Sequence, residues 1–172
     1  MYKRQVLQAN SDAFREVYAW ILGRIATSGW SEVVLMVPYF LLAAGIVFRY
    51  RRALDVLAVG DEEAQALGLE PRKIRVIVVL AASLGAAAAV SVSGLIGFVG
   101  IIVPHAVRLA FGASHRVLVP LSILFGGAFM VLADLAARTI VEPAELPIGV
   151  VTAFLGAPFF VLVLRTSRRS VW

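Results

Sequence analysis

Two histidines and two arginines follow an apolar, glycine-containing stretch in the middle of the chain. They are His105, Arg108, His115 and Arg116, near the end of the segment GLIGFVGIIVPHAVRLAFGASHR (94–116). Imidazoles bind metals or carry protons, and guanidinium groups bind carboxylates and phosphates. The chain contains no cysteine, and no acidic residue lies at a metal-ligand spacing from either histidine. The pattern therefore predicts no metal site here.

The same segment carries three glycines and a proline ahead of these cations. We predict that Gly94, Gly97 and Gly100 lie along one face of a helix, where a second helix approaches closely. Pro104 lacks a backbone N–H, so we expect it to bend or end this helix. His105 and Arg108, three residues apart, share a helix face. This face either meets a protein partner or, as the pattern favours, lies at the lipid headgroups.

The composition is that of a membrane protein. Of the 172 residues, 60% are hydrophobic and 16% are charged, and the mean hydropathy is +0.89. Soluble domains contain about 45–50% apolar and about 25% charged residues. The apolar residues form blocks with charges between them, which is typical of α-helical membrane spans. Because the basic residues lie at the ends of these blocks, the net charge of +5 does not indicate nucleic-acid binding.

The blocks predict an all-α, polytopic membrane protein with a single domain over residues 1–172. We expect an amphipathic interfacial helix within residues 1–29, with Trp20 and Trp30 at the membrane surface. Four or five membrane helices follow it, over 33–48, 74–92, 94–111, 117–133 and 148–164. The segment 94–111 is short and is interrupted by Pro104, so it must tilt, continue past the proline or lie inside the protein.

A hydrophilic connector, residues 53–73, separates the first two of these spans. Gly60 and the three acids that follow it predict the start of a short helix, because acids stabilise the positive end of the helix dipole. Gly68 then ends this helix, and Pro71 begins the next one. The pattern alone fits a docking helix and a solvated linker equally well.

Basic residues predict the orientation of the chain. They flank the connector 53–73, the 108–116 turn and the C-terminus, and they stop the first span at Arg49, Arg51 and Arg52. Under the positive-inside rule, the connector, the turn and the C-terminus are cytoplasmic. The loop between the last two spans carries acids instead and is extracytoplasmic. Its candidate residues are Glu142, Glu145 and Pro147.

One further pair of residues lies at the end of a span, and another interrupts a span. Asp134 and Arg138 are four residues apart, so we expect an ion pair at a helix end; the alternative is a charge that lines a transport path. Gly156 and Pro158 split the last span and are assigned to helix packing. The small residues of 81–100 allow close helix packing and leave room for a bulky solute. No catalytic residue is identified, since the chain lacks a Walker loop, a GxSxG elbow and an HExxH motif.

Four stretches resemble the FecCD-type permeases of ABC importers for iron chelates, haem and vitamin B12. They are LAVGDEEAQALGL (57–69), SGLIGFVGIIVPHAVRLAFGASHRVLVP (93–120), LADLAAR (132–138) and ELPIGVVTAFLGAPFFVLVLR (145–165). These permeases are longer, and the resemblance implies only their C-terminal half. Residues 1–10 match nothing in the family pattern and are a candidate for non-native sequence. Ser114 also departs from the pattern, which often has Asp there.

The resemblance implies a transport mechanism with no cofactor held by this chain. Two permease chains would form a dimer in the inner membrane of a prokaryote, an extracytoplasmic binding protein would deliver the chelate, and cytoplasmic ATPases would bind ATP. The segment 53–73 would be the coupling segment, whose short helix docks on the ATPase. Its expected contact residues are Gly60, Asp61, Glu62, Glu63, Ala66, Leu67, Gly68 and Leu69. The cytoplasmic motif would comprise Pro104, His105, Arg108, His115 and Arg116.

Other classes of protein stay open at this point. A secondary transporter also uses broken helices at mid-membrane, but this chain lacks an embedded acid clear of the helix ends. A membrane-embedded enzyme is disfavoured because no nucleophile is paired with a base. A third alternative is a truncated half-permease that does not transport by itself, since some of its helix faces would lack partners. Dependence of uptake on ATP or on an ion gradient separates the importer from the secondary transporter.

Overall fold

Helices account for most of the described chain, which covers residues 17–18, 20–23, 25, 29–141 and 145–167 of a computed structural model. They are α1 (Trp30–Leu57), α2 (Asp61–Ala66), α3 (Pro71–Ser93), α4 (Val99–Phe111), α5 (His115–Thr139) and α6 (Ile148–Ser167). These described residues contain no strand, and the predicted all-α fold is confirmed. α1, α3 and α5 are long and apolar enough to cross a membrane, while Val99–Phe111 and Ile148–Val163 are shorter apolar helices.

α1 extends beyond the span predicted for it. Arg49, Arg51 and Arg52 end the apolar run, but the helix continues to Leu57. The expectation that these arginines stop the element is therefore wrong for the helix itself. Arginine is a good helix former, and the Arg51 guanidinium lies 3.7 Å from the ring centroid of Phe48 one turn earlier. The non-helical link between α1 and α2 is consequently shorter than the predicted connector.

The predicted interfacial helix falls mostly outside the described residues. Within the described part of it, residues 17–18 and 20–21 are helical. Trp20 and Trp30 are both exposed, so their rings are available to lipid headgroups.

The segment 94–98 is not helical, contrary to the prediction. Gly94 ends α3 in a left-handed conformation with φ +71°, and Phe98 precedes α4 with φ +66°. The Phe98 side chain lies on the backbone of Gly156, where a Cβ atom would overlap it. Gly156 lies eight residues into α6, which is about 12 Å along the helix axis. The chain therefore runs inward beside α6 before α4 begins.

This inward course explains how a short helix is accommodated. α4 has 13 residues and continues through Pro104 to Phe111, so the proline does not end it. A helix of 13 residues is about 20 Å long, too short to cross the hydrocarbon layer alone. Residues 94–98 extend the segment in a non-helical conformation, which membranes tolerate where other protein segments surround the backbone. Of the three alternatives for this segment, the helix continues past its proline.

Small side chains pack α1 against α3. Ala43 on α1 and Ala81 on α3 are buried, and a Cβ atom on Gly85 would lie 3.0 Å from the Cβ atom of Ala43. Such close approach replaces the hydrophobic driving force that is absent between helices in lipid. One side of the small-residue run in α3 is therefore occupied by α1.

Larger apolar side chains join the other helices in two clusters. One cluster connects α5 and α6 through Ala133, Ala137, Ile148 and Val151. The other connects α4 and α5 through Val103, Val107 and Leu118. Many large apolar side chains on the remaining faces are exposed, as expected of helices whose surroundings are lipid or further helices.

The connections between helices gather at two ends of the bundle. The polar end comprises the last turn of α1, the whole of α2, the first turn of α3, and the turn 112–116 between α4 and α5. A contact of Asp55 with Ser114 joins the first of these parts to the last. The glycine end comprises residues 20–23, 94–98 and 145–149. There the backbone N–H groups of Leu95 and Gly149 donate to the carbonyl oxygens of Trp20 and Leu22.

Candidate functional site

α2 is a short exposed helix at the polar end. Gly60 occupies its N-cap position, and Asp61, Glu62 and Glu63 fill its first turn, as the sequence predicts. Ala64 is fully buried, whereas the other side chains of Asp61–Ala66 are exposed. The helix thus has one anchored side and a broad surface that faces away from the bundle.

The C-terminal end of α2 is a hydrogen-bonded turn centred on Gly68. Gly68 has φ +77°, its N–H donates to the Gln65 carbonyl at 2.9 Å, and the Leu69 N–H donates to the Ala64 carbonyl at 2.9 Å. This pairing closes a helix with a left-handed residue, a conformation that favours glycine. Pro71 is the first residue of α3. The predicted boundaries of the short helix are therefore confirmed.

A bidentate ion pair joins α2 to α3. The Arg75 guanidinium donates from Nη1 to Asp61 Oδ2 at 2.8 Å and from Nη2 to Asp61 Oδ1 at 2.5 Å. Bidentate geometry fixes direction as well as distance. Asp61, which was expected to contact a partner, thus already holds a cation of its own chain, while Glu62 and Glu63 remain exposed.

Two apolar side chains flank α2 at the polar end. Val59 is 73% exposed and Leu67 is 70% exposed. Both lie in turns among charged residues, outside the apolar helices. Single exposed apolar side chains are ordinary on protein surfaces, so these two form a candidate protein contact only because they flank the same short exposed helix. Leu67 was among the expected coupling residues, and Val59 was not.

Asp55, on the last turn of α1, holds the beginning of α5. Its Oδ2 accepts a hydrogen bond from Ser114 Oγ at 2.9 Å, and its Oδ1 accepts one from the His115 backbone N–H. The His115 Nδ1 atom also lies 2.9 Å from Oδ1, and Arg116 Nε lies 3.7 Å from Oδ2. Asp55 and His115 are 22% and 24% exposed. One partly buried carboxylate therefore joins two long helices.

This carboxylate caps α5 in place of the helix's own N-cap residue. Ser114 has an extended conformation at the N-cap position, but its side chain makes no capping hydrogen bond. The first N–H groups of a helix lack partners within it and favour a negative charge nearby. Asp55 supplies both an acceptor and a charge from another helix.

The two histidines lie in different surroundings. His105 is half-buried, and its ring contacts Phe159 edge-on at a centroid distance of 5.8 Å, whereas His115 contacts Asp55. Arg108 is exposed near the end of α4. Within the part of the chain that is described, no group of three or more His, Cys, Asp or Glu side chains could hold a metal ion. The motif thus divides into an aromatic contact at His105 and an ionic contact at His115 and Arg116.

Asp134 and Arg138 form a local ion pair. Arg138 Nε donates to Asp134 Oδ2 at 2.9 Å across one turn of α5. This is the helix-end pairing expected from the i,i+4 spacing. Asp134 is therefore paired within its own helix.

The glycines singled out in the sequence contact different parts of the molecule. Gly94 lies against Trp20, where a Cβ atom would overlap the carbonyl oxygen. Around Gly97 and Gly100, a Cβ atom would meet nothing within 4 Å. Only Gly100 lies in a helix, so the three do not share a helix face, and that prediction is wrong. Gly156 does receive a close contact, from Phe98.

The predicted extracytoplasmic loop is only partly described. Glu142 lies outside the described residues, Glu145 is exposed, and the Pro147 carbonyl accepts a hydrogen bond from the Val150 N–H at 3.0 Å in the first turn of α6. Pro158 lies within α6, which continues past it to Ser167.

Comparison with known protein families identifies the family of this chain. The sequence profile of the FecCD transport family matches residues 4–166. The chain belongs to the FecCD transport family. The match includes most of residues 1–10, so their proposed non-native origin gains no support from it.

Relatives of this FecCD chain include named import permeases. It is 45% identical to the cobalamin import system permease protein BtuC of Halobacterium salinarum, over 88% of this chain and 40% of that protein. It is 37% identical to an Fe(3+)-citrate import system permease protein of Bacillus subtilis, over 92% of this chain and 47% of that protein. The chain spans about half the length, or less, of these curated relatives.

A solved structure has the same fold. It is described as an inward-facing conformation of a metal-chelate type ABC transporter, and it matches with a TM-score of 0.78 and 35% sequence identity. The match covers 88% of this FecCD chain and 49% of that chain. The family and the apolar helices together support a multi-pass membrane protein.

Three residues that shape the polar end of this FecCD chain were not predicted from the sequence. Asp55 and Arg75 form ion pairs between helices there, and Val59 extends its exposed apolar surface. Asp55 and His115 are 60 residues apart, so no local spacing indicates their contact. Val59 could have been found as an apolar residue beside Gly60 in an otherwise hydrophilic connector.

Proposed function

We propose that this chain is part of the membrane permease of an ABC importer for metal chelates, a class that includes iron chelates, haem and cobalamin. Family membership and the named import permeases among its relatives support this proposal. The chain itself performs no catalysis in this scheme and holds no cofactor. ATP is bound and hydrolysed by a separate cytoplasmic ATPase.

The observation that carries the proposal is the shape of α2 and its flanks. An anchored helix with exposed acids, next to the exposed Val59 and Leu67, presents a surface suited to a protein partner. The buried Ala64 and the Asp61–Arg75 pair hold this helix against the bundle. A force applied to α2 would thus reach the membrane helices, as rigid-body gating requires.

The same end is the cytoplasmic one in our proposal. Among the described residues, cations concentrate there: Arg49, Arg51, Arg52, Arg72, Lys73, Arg75, Arg108 and Arg116. At the glycine end, the described cation is Arg138, and it is paired with Asp134. Under the positive-inside rule, this distribution supports a cytoplasmic C-terminus in a prokaryotic cell. A reporter that is active only in the cytoplasm, fused after Trp172, tests this orientation.

The remaining partners follow from the same proposal. A second permease chain would complete a central path, lipid would cover the outer faces, and an extracytoplasmic binding protein would meet the glycine end. α3 also offers small exposed residues that leave room for a bulky solute: Ala82, Ser83, Ala86, Ala87 and Ser91. Crosslinks that place these positions wholly in lipid would contradict their assignment to the path.

The decisive experiment expresses the longest reading frame that contains this chain together with a candidate ABC ATPase from the same genome. The variant Glu62→Arg with Ala66→Trp changes two exposed side chains of α2. We expect it to lose co-purification of the ATPase and ATP-dependent uptake of ⁵⁵Fe-chelate or labelled cobalamin. The matched control is Glu145→Arg, the same charge reversal at the glycine end, which should retain the ATPase.

Two outcomes would count against the proposal. If the α2 variant keeps both the ATPase and uptake, α2 is not the docking helix. If uptake by the unaltered protein needs an ion gradient and no ATP, the chain serves a secondary transporter instead.

A further inference from the structure

The contact between Asp55 and the start of α5 joins the end of α1 to a distant part of the chain. Asp55 lies three residues before Ala58, where the link to α2 begins. Its carboxylate holds the first turn of α5 through Ser114 and His115. α1 also packs directly against α5, and this carboxylate adds a polar contact between the two helices at the end of α1 that leads to α2.

Two connections lead away from α2, and they differ in character. The Asp61–Arg75 pair leads to α3, which follows α2 directly in the chain, and both of its side chains are about half exposed. The Asp55 contact leads to α5, and its carboxylate receives a backbone N–H, a hydroxyl and an imidazole in a partly buried place. α5 in turn packs against α4 and α6. The second connection therefore leads directly towards α4 and α6, whereas α3 packs mainly against α1.

We propose that Asp55 is the positioning residue that makes α5 follow the coupling helix when an ATPase moves it. This inference rests on the function proposed above. Asp55 contacts neither solute nor nucleotide; it acts through Ser114 and His115. Hydrogen bonds to a charged group are the stronger class and fix the relative position of the two helices.

A purely structural alternative must be separated from this one. Asp55 caps α5, and loss of a cap destabilises a helix whatever it transmits. Capping of α5 and the contact between α1 and α5 can be separated experimentally, because Ser114 occupies the N-cap position and its side chain makes no capping hydrogen bond. A carboxylate placed at residue 114 would restore the cap from within α5, with no help from α1.

Three variants separate the effect of capping α5 from the effect of the polar contact between α1 and α5. Asp55→Ala removes both. Asp55→Ala with Ser114→Asp restores the cap without restoring the polar contact between α1 and α5. Asp55→Asn with Ser114→Asp restores both, since the Asn amide N–H now donates from α1 to a carboxylate on α5. The two double variants have the same residue at 114 and differ only at residue 55.

The first readout is uptake per ATP hydrolysed, measured with the complete importer in proteoliposomes. In both Asp55→Ala variants, single and double, we expect uptake per ATP hydrolysed to fall by about tenfold. This is the scale of losing a hydrogen bond to a charged group. The Asp55→Asn double variant should recover most of the ratio, and thermal stability should recover in both double variants. If the Asp55→Ala double variant also recovers the ratio, Asp55 is only a cap and the inference is overturned.

The second readout needs no ATPase. Spin labels at Val59→Cys and Ala113→Cys, both exposed positions on either side of the contact, report the distance between the two helix ends in lipid nanodiscs. We expect a narrow distribution with Asp55 and with the Asp55→Asn double variant, and a broad one with both Asp55→Ala variants. Equal widths in all four proteins would overturn the inference. Broadening in a protein that binds no ATPase would support the contact and contradict the proposed function alone.

Discussion

The two ends of the bundle are held together in different ways. At the polar end, carboxylates on one helix bind groups on another. Asp55 contacts the His115 ring, and Asp61 accepts hydrogen bonds from the Arg75 guanidinium. At the glycine end, backbone meets backbone. Gly94 and Gly149 allow the carbonyl oxygens of Trp20 and Leu22 to approach where a side chain would stand.

This difference has a physical origin in what each contact can tolerate. Side-chain ion pairs at a water-exposed end are screened to different degrees, so the free-energy cost of losing one depends on how far it is buried. Backbone contacts across glycine leave no space for adjustment, because close-packed atoms cannot be compressed. We therefore expect the glycine end to be intolerant of substitution and the polar end to be graded in its response.

The largest effect should come from Gly94→Ala at the glycine end. The new Cβ atom would overlap the Trp20 carbonyl oxygen, and φ +71° is strained for alanine. Overpacking and a left-handed residue together cost about 3 kcal/mol or more. We expect a clear fall in the thermal midpoint of the purified protein in detergent. Gly97→Ala is the matched control, because its Cβ atom meets nothing within 4 Å. An equal fall in the thermal midpoint of both variants would show that the close backbone contact at Gly94 is not the cause.

An intermediate effect should come from Asp55→Ala at the polar end. The change removes the cap of α5 and the acceptor for Ser114 and His115. Loss of a cap and of hydrogen bonds to a charged group costs about 2 kcal/mol. Hydrogen exchange of the backbone amides of residues 116–118 should accelerate, whereas those near Arg75 should not change. Uniform acceleration along the chain would indicate general unfolding instead.

A smaller effect should come from Asp61→Asn, which weakens the pair with Arg75. Both side chains are exposed, so solvent screens the interaction, and exposed pairs are worth roughly 0.2–1 kcal/mol. We expect a slight stability loss that disappears at high salt. A salt-independent loss would show that the pair is less exposed to solvent than its surface position indicates.

The smallest effect should come from Asp134→Asn within α5. An i,i+4 ion pair contributes about 0.3–0.5 kcal/mol, and Arg138 stays partly exposed without it. We expect stability and uptake both to change little. A strong loss of uptake at unchanged stability would support the alternative that Asp134 lines a transport path.

Local patterns in the sequence were sufficient for several parts of this molecule. The bounds of α2 follow from Gly60, Gly68 and Pro71, since each acts through its own backbone conformation. The Asp134–Arg138 pair follows from helix spacing alone. The motifs around the cations and the short helix are also sufficient to indicate the FecCD family.

The same kind of reasoning failed where a distant contact overrides local preference. Glycines at every third residue resemble a helix-packing face, but the chain between Gly94 and Phe98 unwinds. Phe98 takes a left-handed conformation, uncommon for a bulky residue, while it lies on Gly156 of another helix. A periodicity argument cannot include a partner that lies so much further along the chain.

The sequence by itself determined that this is an all-α membrane chain, where most of its helices lie and which family it belongs to. Apolar blocks, charges and helix caps act over a few residues, so they can be read from one segment at a time. Only the tertiary structure decided that Asp55 joins α5, that Arg75 is bound to Asp61, and that Trp20 and Leu22 lie against glycines. Those contacts depend on how whole helices pack, which no short segment specifies.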